Sequence, residues 1–423
     1  MAATTANVGV RVFSNLSPTV ASIDTRDSTA IGLCLPCPNI EAENEAAFPP
    51  DEPVRLATDN PEQLAKLGPG LAYDTIRQIK GEGIETDVIF VRAETAPLVD
   101  DEEDIPGQIA KIAGDANAKT GVWALAEALG ELDIEPGVII APGYDSQRLD
   151  DAANPVATAI DAVCDKIIDC VSVVNTPATN REDAAEYADD FALSYNMIAM
   201  YPQGRYFMDG QTVTRPLSPS VAAAIVRRDK EVGNPYKAAW NRPLKGLTGL
   251  SQVVGYQDGR SDTDANFLVQ RGVGTVIEGK LLWAPFTTAT DPTTVGYRSI
   301  KRIRTRKALD KAFLRPLRKY LSEDVTPHAV TLLFRALSEA LEERQALGAI
   351  ISGSEVIWDR SLNPNNLLQQ GGMRIKLRFE ETPDLTDLGI YSEPQPEAYD
   401  VLSEQIRVAI ERMGNPNLIY VDA

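Results

Sequence analysis

Four cysteines and one histidine bound the chemistry that this 423-residue chain can perform. Cys34 and Cys37 lie in LCLPCP, at the Cys-x-x-Cys spacing that serves zinc ligation or redox work, and Cys164 and Cys170 lie in VCDKIIDC. A four-thiolate zinc site would need both pairs, and a five-residue spacer is unusual for one. Pro36 and Pro38 stiffen the first pair, and no thioredoxin-type context surrounds it. All four therefore read as buried or idle thiols, and Cys34, Cys37, Cys164 and Cys170 are disulfide candidates wherever the chain meets an oxidising medium. His328 falls in the first turn of a predicted helix and reads as a surface or cap residue. With no second histidine, catalytic triads, His-based metal sites and the metalloprotease helix motif are hard to build.

Gly274-Thr275-Val276-Ile277-Glu278-Gly279-Lys280 has the spacing of a phosphate loop, but Leu281 stands where a Ser or Thr must hold magnesium, and Val276 and Ile277 read as strand interior. No Gly-x-Gly-x-x-Gly opens a helix of the α/β region, so no cofactor is expected. Glu94, Asp145, Thr176 and Gln203 follow predicted strands, where open α/β sheets bind ligands. They are scattered, and support only an alternative reading as a cytoplasmic α/β hydrolase or ligand-binding protein.

Net charge is −20, which repels nucleic acid and anionic lipid from most of the surface. The segment Arg298–Lys319 runs the other way, with ten basic residues against Asp310, so it carries +9 and leaves −29 elsewhere. Its residues Arg302, Arg304, Arg306, Lys307, Lys311, Arg315 and Arg318 are expected to form an electrostatic interface between identical copies, steering register more than adding affinity. A solvated helix face is the plain alternative. Only Phe313 and Tyr320 could stack bases, which disfavours nucleic acid. A hydrophobic share of 43% with 24% charged residues fits a soluble globular protein. No signal-peptide pattern or membrane-length apolar run is read, so a cytoplasmic origin without membrane insertion is expected.

The elements that must position these residues follow an α/β pattern. Short Val/Ile-rich runs (30–35, 88–91, 138–141, 167–174, 197–201) alternate with helical patterns (71–80, 120–132, 153–166, 181–193). Such unbroken runs suit a largely parallel sheet covered on both faces. The stretch 255–294 is turn-rich and β-like, and a basic helix follows. Thr326-Pro327 caps a helix reaching Ala346, and Met373, Ile375, Leu377 and Phe379 alternate with charged residues as a half-buried strand. An amphipathic helix with Leu402, Ile406, Ile410 and Met413 stops at Gly414. Val8, Val10 and Val12 at one end, and Leu418, Ile419, Tyr420 and Val421 at the other, read as lone strands that must pair with their own sheet or another chain's. The expected fold class is α/β, a layered mixed-sheet domain plus a C-terminal α+β domain with extended arms at both ends. The expected division is an arm at 1–21, an α/β domain at 22–220, a connector and β-rich segment at 221–295, an α+β domain at 296–383 and an arm at 384–423.

The stretch Ala224–Gly246, AIVRRDKEVGNPYKAAWNRPLKG, reads as a wrapped connector. Arg227-Arg228-Asp229, Gly233, Tyr236, Ala239-Trp240-Asn241 and Gly246 occur in the order of the Arg-x-Asp, Gly-plus-aromatic, Pro-or-Ala/Asn and small-turn landmarks of contractile phage tail and R-type pyocin sheath proteins. The chain resembles that family from about Val8 to Ile390, through GVRVF, TAIGLCLPCPN, ALGELDIEPGVIIAPGY and MRIKLRFEETPDLTDLGI. It departs where many sheaths carry Trp-Gly-Ala-Arg-Thr-Leu and this chain has Ile277 through Trp283, so no role attached to that arginine is carried over. The resemblance implies a structural motor without a catalytic site. It implies stacked hexameric rings around a tail tube protein, with baseplate and tail terminator proteins as further partners, in a virion assembled in the bacterial host cytoplasm.

Overall fold

The structure is a computed structural model that describes residues 29–99, 101–318, 320–322, 324–414, 417, 419 and 421, the side chains of Arg315 and Pro316 excepted. Along the chain run β1 (Ile31–Pro36), β2 (Pro53–Ala57), α1 (Pro61–Ala65), α2 (Leu71–Gly81), β3 (Asp87–Ala93), α3 (Ile105–Ala113), α4 (Ala128–Leu132), β4 (Val138–Ile140), α5 (Pro155–Lys166), β5 (Val171–Asn175), α6 (Arg181–Asp189) and β6 (Met197–Met200). There follow β7 (Gly204–Met208), β8 (Gln211–Arg215), α7 (Ser218–Val232), β9 (Leu247–Leu250), α8 (Asp264–Gln270), β10 (Val273–Ile277) and β11 (Leu281–Trp283). The remainder holds α9 (Ile300–Arg318), α10 (Pro327–Ala346), β12 (Glu355–Ile357), α11 (Asn365–Gln369), β13 (Lys376–Arg378) and α12 (Ala398–Arg412).

An eight-stranded sheet of order β11-β10-β6-β5-β4-β1-β3-β2 forms the body. Its inner pairs are parallel, and β2 and β11 close the two edges antiparallel. Helices pack as two pairs, α2 with α7 and α3 with α5, each touching the central strands. That covering explains why β1, β4, β5, β6 and β10 are buried along their whole length and carry apolar runs without alternation. The fold class is thus the α/β mixed-sheet arrangement, followed by an α+β part built from α9 to α11 and the β12–β13 pair.

Several local expectations change. The residues 120–132 form a 3-10 segment at Gly121–Glu127 before the short α4, and the run expected as strand from 167 begins at Val171, after a turn. Ala224–Val232, read as connector, is the latter part of α7, which also crosses the 220/221 division. The helix is buried along much of its length because it lies between sheet and partners, so its sequence lacks the polar face that marks a surface helix. The β-like stretch 255–294 includes α8, capped by the Thr263 hydroxyl accepting from the Asn266 N–H. A small sheet of order β8-β7-β9 stands apart from the main one, its β7–β8 turn made by Asp209 and Gly210, both at positive φ.

By backbone contacts the chain forms two units, one ending at Asp384 and the other beginning at Leu385. In the second unit, Leu385, Leu388, Ile390 and Tyr391 are exposed, the last at 96%, and α12 has no buried residue. Val8, Val10, Val12, Leu418 and Tyr420 lie outside the described residues, whereas Ile419 and Val421 are exposed. Among the described residues, no helix is long and apolar enough to cross a membrane.

Candidate functional site

The basic helix α9 lies between two apolar cores. Its Ile303 joins the core of the main sheet, while Ala308, Leu309 and Phe313 join a second core with Tyr236, Leu333, Leu337, Leu341, Leu377 and Phe379. Where such a helix is enclosed its cations leave water, and buried charge is tolerated only when paired and hydrogen-bonded. Arg304 and Asp229 of α7 are each 4% exposed and meet in a two-point pair, with Nη1 to Oδ1 at 2.9 Å and a second bond from Nη2 to Oδ2. Burial pushes the Asp229 carboxyl above its ordinary value against the pull of Arg304. Arg306 pairs with Glu381, itself 2% exposed, and Arg302 Nη2 donates to Glu380 Oε2 at 2.8 Å and Glu381 Oε2 at 3.1 Å. Lys301 donates to the Thr382 carbonyl, and burial lowers its pKa. Lys307 Nζ donates to the carbonyls of Cys170 at 2.6 Å and Cys164 at 3.3 Å, and Lys311 Nζ stands 3.0 Å from Glu135 Oε2.

Arg304 and Arg306 are buried, which removes these two from the expected cationic surface, whereas Arg302, Lys307 and Lys311 are half-buried with partners in the same subunit. The reason is the position of α9 between two cores, which charge counting along a sequence does not reveal. Arg318 is exposed, and the Arg315 side chain lies outside the described residues.

The Arg-x-Asp element shows why its spacing works. Two positions along a helix turn the side chain by roughly 200°, so Arg227 and Asp229 leave α7 on opposite sides. Asp229 faces α9, while Arg227 Nη1 donates to Glu82 Oε2 at 2.6 Å and Nη2 to the Pro243 carbonyl at 2.6 Å. Glu82, fully buried, also accepts from the Lys245 N–H at 2.8 Å and the Gly246 N–H at 3.2 Å. Gly233 ends α7 in the left-handed conformation that favours glycine, and the chain then wraps along β11. There the Asn241 N–H donates to the Leu282 carbonyl at 2.6 Å and the Leu244 N–H to the Lys280 carbonyl at 2.8 Å. Trp240 packs edge-on against Trp283 with ring centroids 5.3 Å apart, and its Nε1 donates to Asp384 Oδ2 at 2.6 Å. Ser299 Oγ donates to Asp384 Oδ1 at 2.9 Å, so the residue that ends the first unit is gripped from two elements.

The chemistry-bearing residues fall elsewhere. Gly274 sits in β10, where an added Cβ would meet Ala284 Cβ at 2.5 Å and Met200 Sδ at 2.8 Å, so close packing of strands accounts for it. Glu278 and Gly279 form the β10–β11 turn, both at positive φ, leaving no phosphate-wrapping loop. His328 is exposed in the first turn of α10. Asp145 is fully buried and accepts from the Asn175 N–H at 3.0 Å and Asn175 Nδ2 at 2.8 Å, while Asn175 Oδ1 accepts from the Ser218 N–H at 3.0 Å. Glu94 pairs with Lys111, and Thr176 Oγ1 donates to the Met200 carbonyl at 3.2 Å. Asp145, Glu94 and Thr176 are each bonded to other groups of the fold. Cys34, Cys37, Cys164 and Cys170 are all free and buried, and burial pushes the Cys37 thiol up to about 12. Sequence reasoning missed Glu82 and Glu381, the buried anions of the network, because isolated glutamates carry no sequence signal of burial.

Interior ion pairs join the end of α2, α7, α9 and the strand exit, and a segment with exposed apolar side chains begins at Leu385. No family model matches the chain. A putative prophage major tail sheath protein of Pseudomonas aeruginosa (strain UCBPP-PA14) is 26% identical over 364 residues, covering 84% of this chain and 88% of that protein. The major tail sheath protein of Serratia phage KSP20 is 26% identical over 386 residues, covering 90% and 93%. The tail sheath protein of Escherichia phage P2 is 25% identical over 296 residues, covering 68% of each. In fold, the chain matches the PVC sheath complex of an extracellular contractile injection system in its contracted state, with TM-score 0.63, 14% identity, and 94% and 100% of the two chains covered. It matches the contracted helical sheath of the anti-feeding prophage with TM-score 0.62, 15% identity, and 93% and 100% covered. The fold is that of the sheath subunits of contractile injection systems, and the relatives similar in sequence are named tail sheath proteins. In sequence, the chain is a homologue of proteins named tail sheath proteins in phages and a prophage.

Proposed function

We propose that this chain is the structural subunit of a contractile sheath, polymerising as stacked hexameric rings around a tail tube protein and contracting to drive the tube through a bacterial envelope for genome ejection. It acts without a catalytic site or cofactor, meets baseplate and tail terminator proteins at the ends of the stack, and binds neither nucleic acid nor membrane. Assembly takes place in the bacterial host cytoplasm, and the virion is its destination. The observation that carries this reading is the segment after Asp384, where Leu385, Leu388, Ile390 and Tyr391 are 69%, 69%, 82% and 96% exposed and α12 buries nothing. Apolar side chains left in water along a whole segment call for a partner surface. The two-stranded β12–β13 sheet, open on both edges among the described residues, is a ready acceptor for strands lent by the arms of neighbouring copies. Relatives named tail sheath proteins over most of their length support the same assignment. The test is negative-stain microscopy of the purified chain, expected to show rods or tubes. Removing residues 1–14 is expected to leave soluble monomers; rods of normal length from that shortened chain would refute strand exchange.

A further inference from the structure

We propose that Cys164 and Cys170 form a disulfide within the folded subunit, an oxidisable lock on the turn between α5 and β5, while Cys34 and Cys37 remain thiols. Cys164 lies in the last turn of α5 and Cys170 directly precedes β5. Their sulfurs stand 3.5 Å apart, the Cys164 thiol donating to Cys170, and each residue is 1% exposed. A bond of about 2.05 Å requires a local approach of only about 1.5 Å. The turn is held in place from outside, since Lys307 Nζ donates to the carbonyls of both cysteines. Cys34 and Cys37 differ in kind. Cys34 is fixed in β1 opposite Val91 of β3, and three residues of extended chain carry Cys37 roughly 10 Å along the strand direction, beyond disulfide reach.

The chemistry balances with a hydroperoxide as oxidant. One cysteine sulfur attacks a peroxide oxygen, breaking the O–O bond, and becomes a sulfenic acid as one water leaves. The second sulfur displaces the sulfenic oxygen as another water and the S–S bond closes, so two thiols and one hydrogen peroxide give one disulfide and two waters. Burial pushes the Cys164 thiol well above its ordinary value, which keeps thiolate scarce and the reaction slow. The loop so closed contains Asp169, a buried carboxylate whose charge bears on the Arg304–Asp229 pair. Oxidation therefore stiffens the turn behind the α7–α9 ion pair, and it does so whether or not the subunit assembles.

The experiment treats the full native chain with hydrogen peroxide, alkylates remaining thiols in denaturant and maps the peptides by mass. Cys164 and Cys170 are expected to lose two hydrogens together and escape alkylation, with Cys34 and Cys37 alkylated. The oxidised protein is expected to melt a few degrees higher, reversibly with dithiothreitol. Four alkylated cysteines after treatment, a Cys34–Cys37 bridge, or the same melting rise in a Cys170→Ser chain would each overturn the proposal.

Discussion

Asp145 has no exposed surface, and both its carboxylate oxygens face the side-chain amide of Asn175. Burial pushes this carboxyl up to about 7, and the hydrogen bonds from Asn175 offset only part of that rise. An unfolded aspartate titrates near 3.9, so between about pH 4 and 7 the folded chain binds a proton that the unfolded chain lacks. Stability from this group therefore falls as pH rises through that window and levels off above it. Urea unfolding is expected to register a loss on the order of 3 kcal/mol across the window, and Asp145→Asn to flatten the profile. An unchanged slope in that variant would mean the carboxyl is already ionised in the fold. The sequence marks Asp145 as a polar residue following a strand. That Asn175 and Ser218 close over it depends on β4, β5 and the start of α7 converging, which no local pattern encodes.

Helices α7 and α9 meet through Asp229 and Arg304, and the pair is expected to behave as a unit. Arg304→Met leaves a buried carboxylate without its cation and is expected to cost about 3–5 kcal/mol in urea unfolding, while Arg304→Met with Asp229→Leu recovers most of that loss. Additive losses in the double variant would show that the two side chains do not couple. Where an element has a strong local signal, its limits are legible: Thr326-Pro327 starts α10, with the Thr326 hydroxyl accepting from the Ala329 N–H, and the helix runs to Ala346 as read. The signal fails for α7, whose charged latter half resembles a connector until its partners Glu82 and Arg304 are in place. The alternating run Met373–Phe379 yields only Lys376–Arg378 as paired strand, because its partner β12 is three residues long. Alternation shows which side chains are buried but not how much ladder the partner supplies.

For the molecule as a whole, the boundary at Asp384 separates a body with its own cores from a segment with no buried side chain in its helix. A chain ending at Asp384 is expected to keep the urea midpoint of the full chain and to form no rods by negative-stain microscopy; rods from it would place assembly in the body alone. The amino-acid sequence by itself determined the α/β class, the two-sided covering of the sheet, the helix limits set by caps, and the resemblance to sheath proteins, because these rest on periodicity, capping residues and motif order along the chain. Only the tertiary structure decided that the basic helix is largely interior, that Asp229 and Glu381 are its buried anions while Glu82 serves Arg227 of α7, and that Cys164 and Cys170 are the cysteines in contact. Burial and charge pairing are properties of residues distant in sequence, and 79 positions separate Arg302 from Glu381.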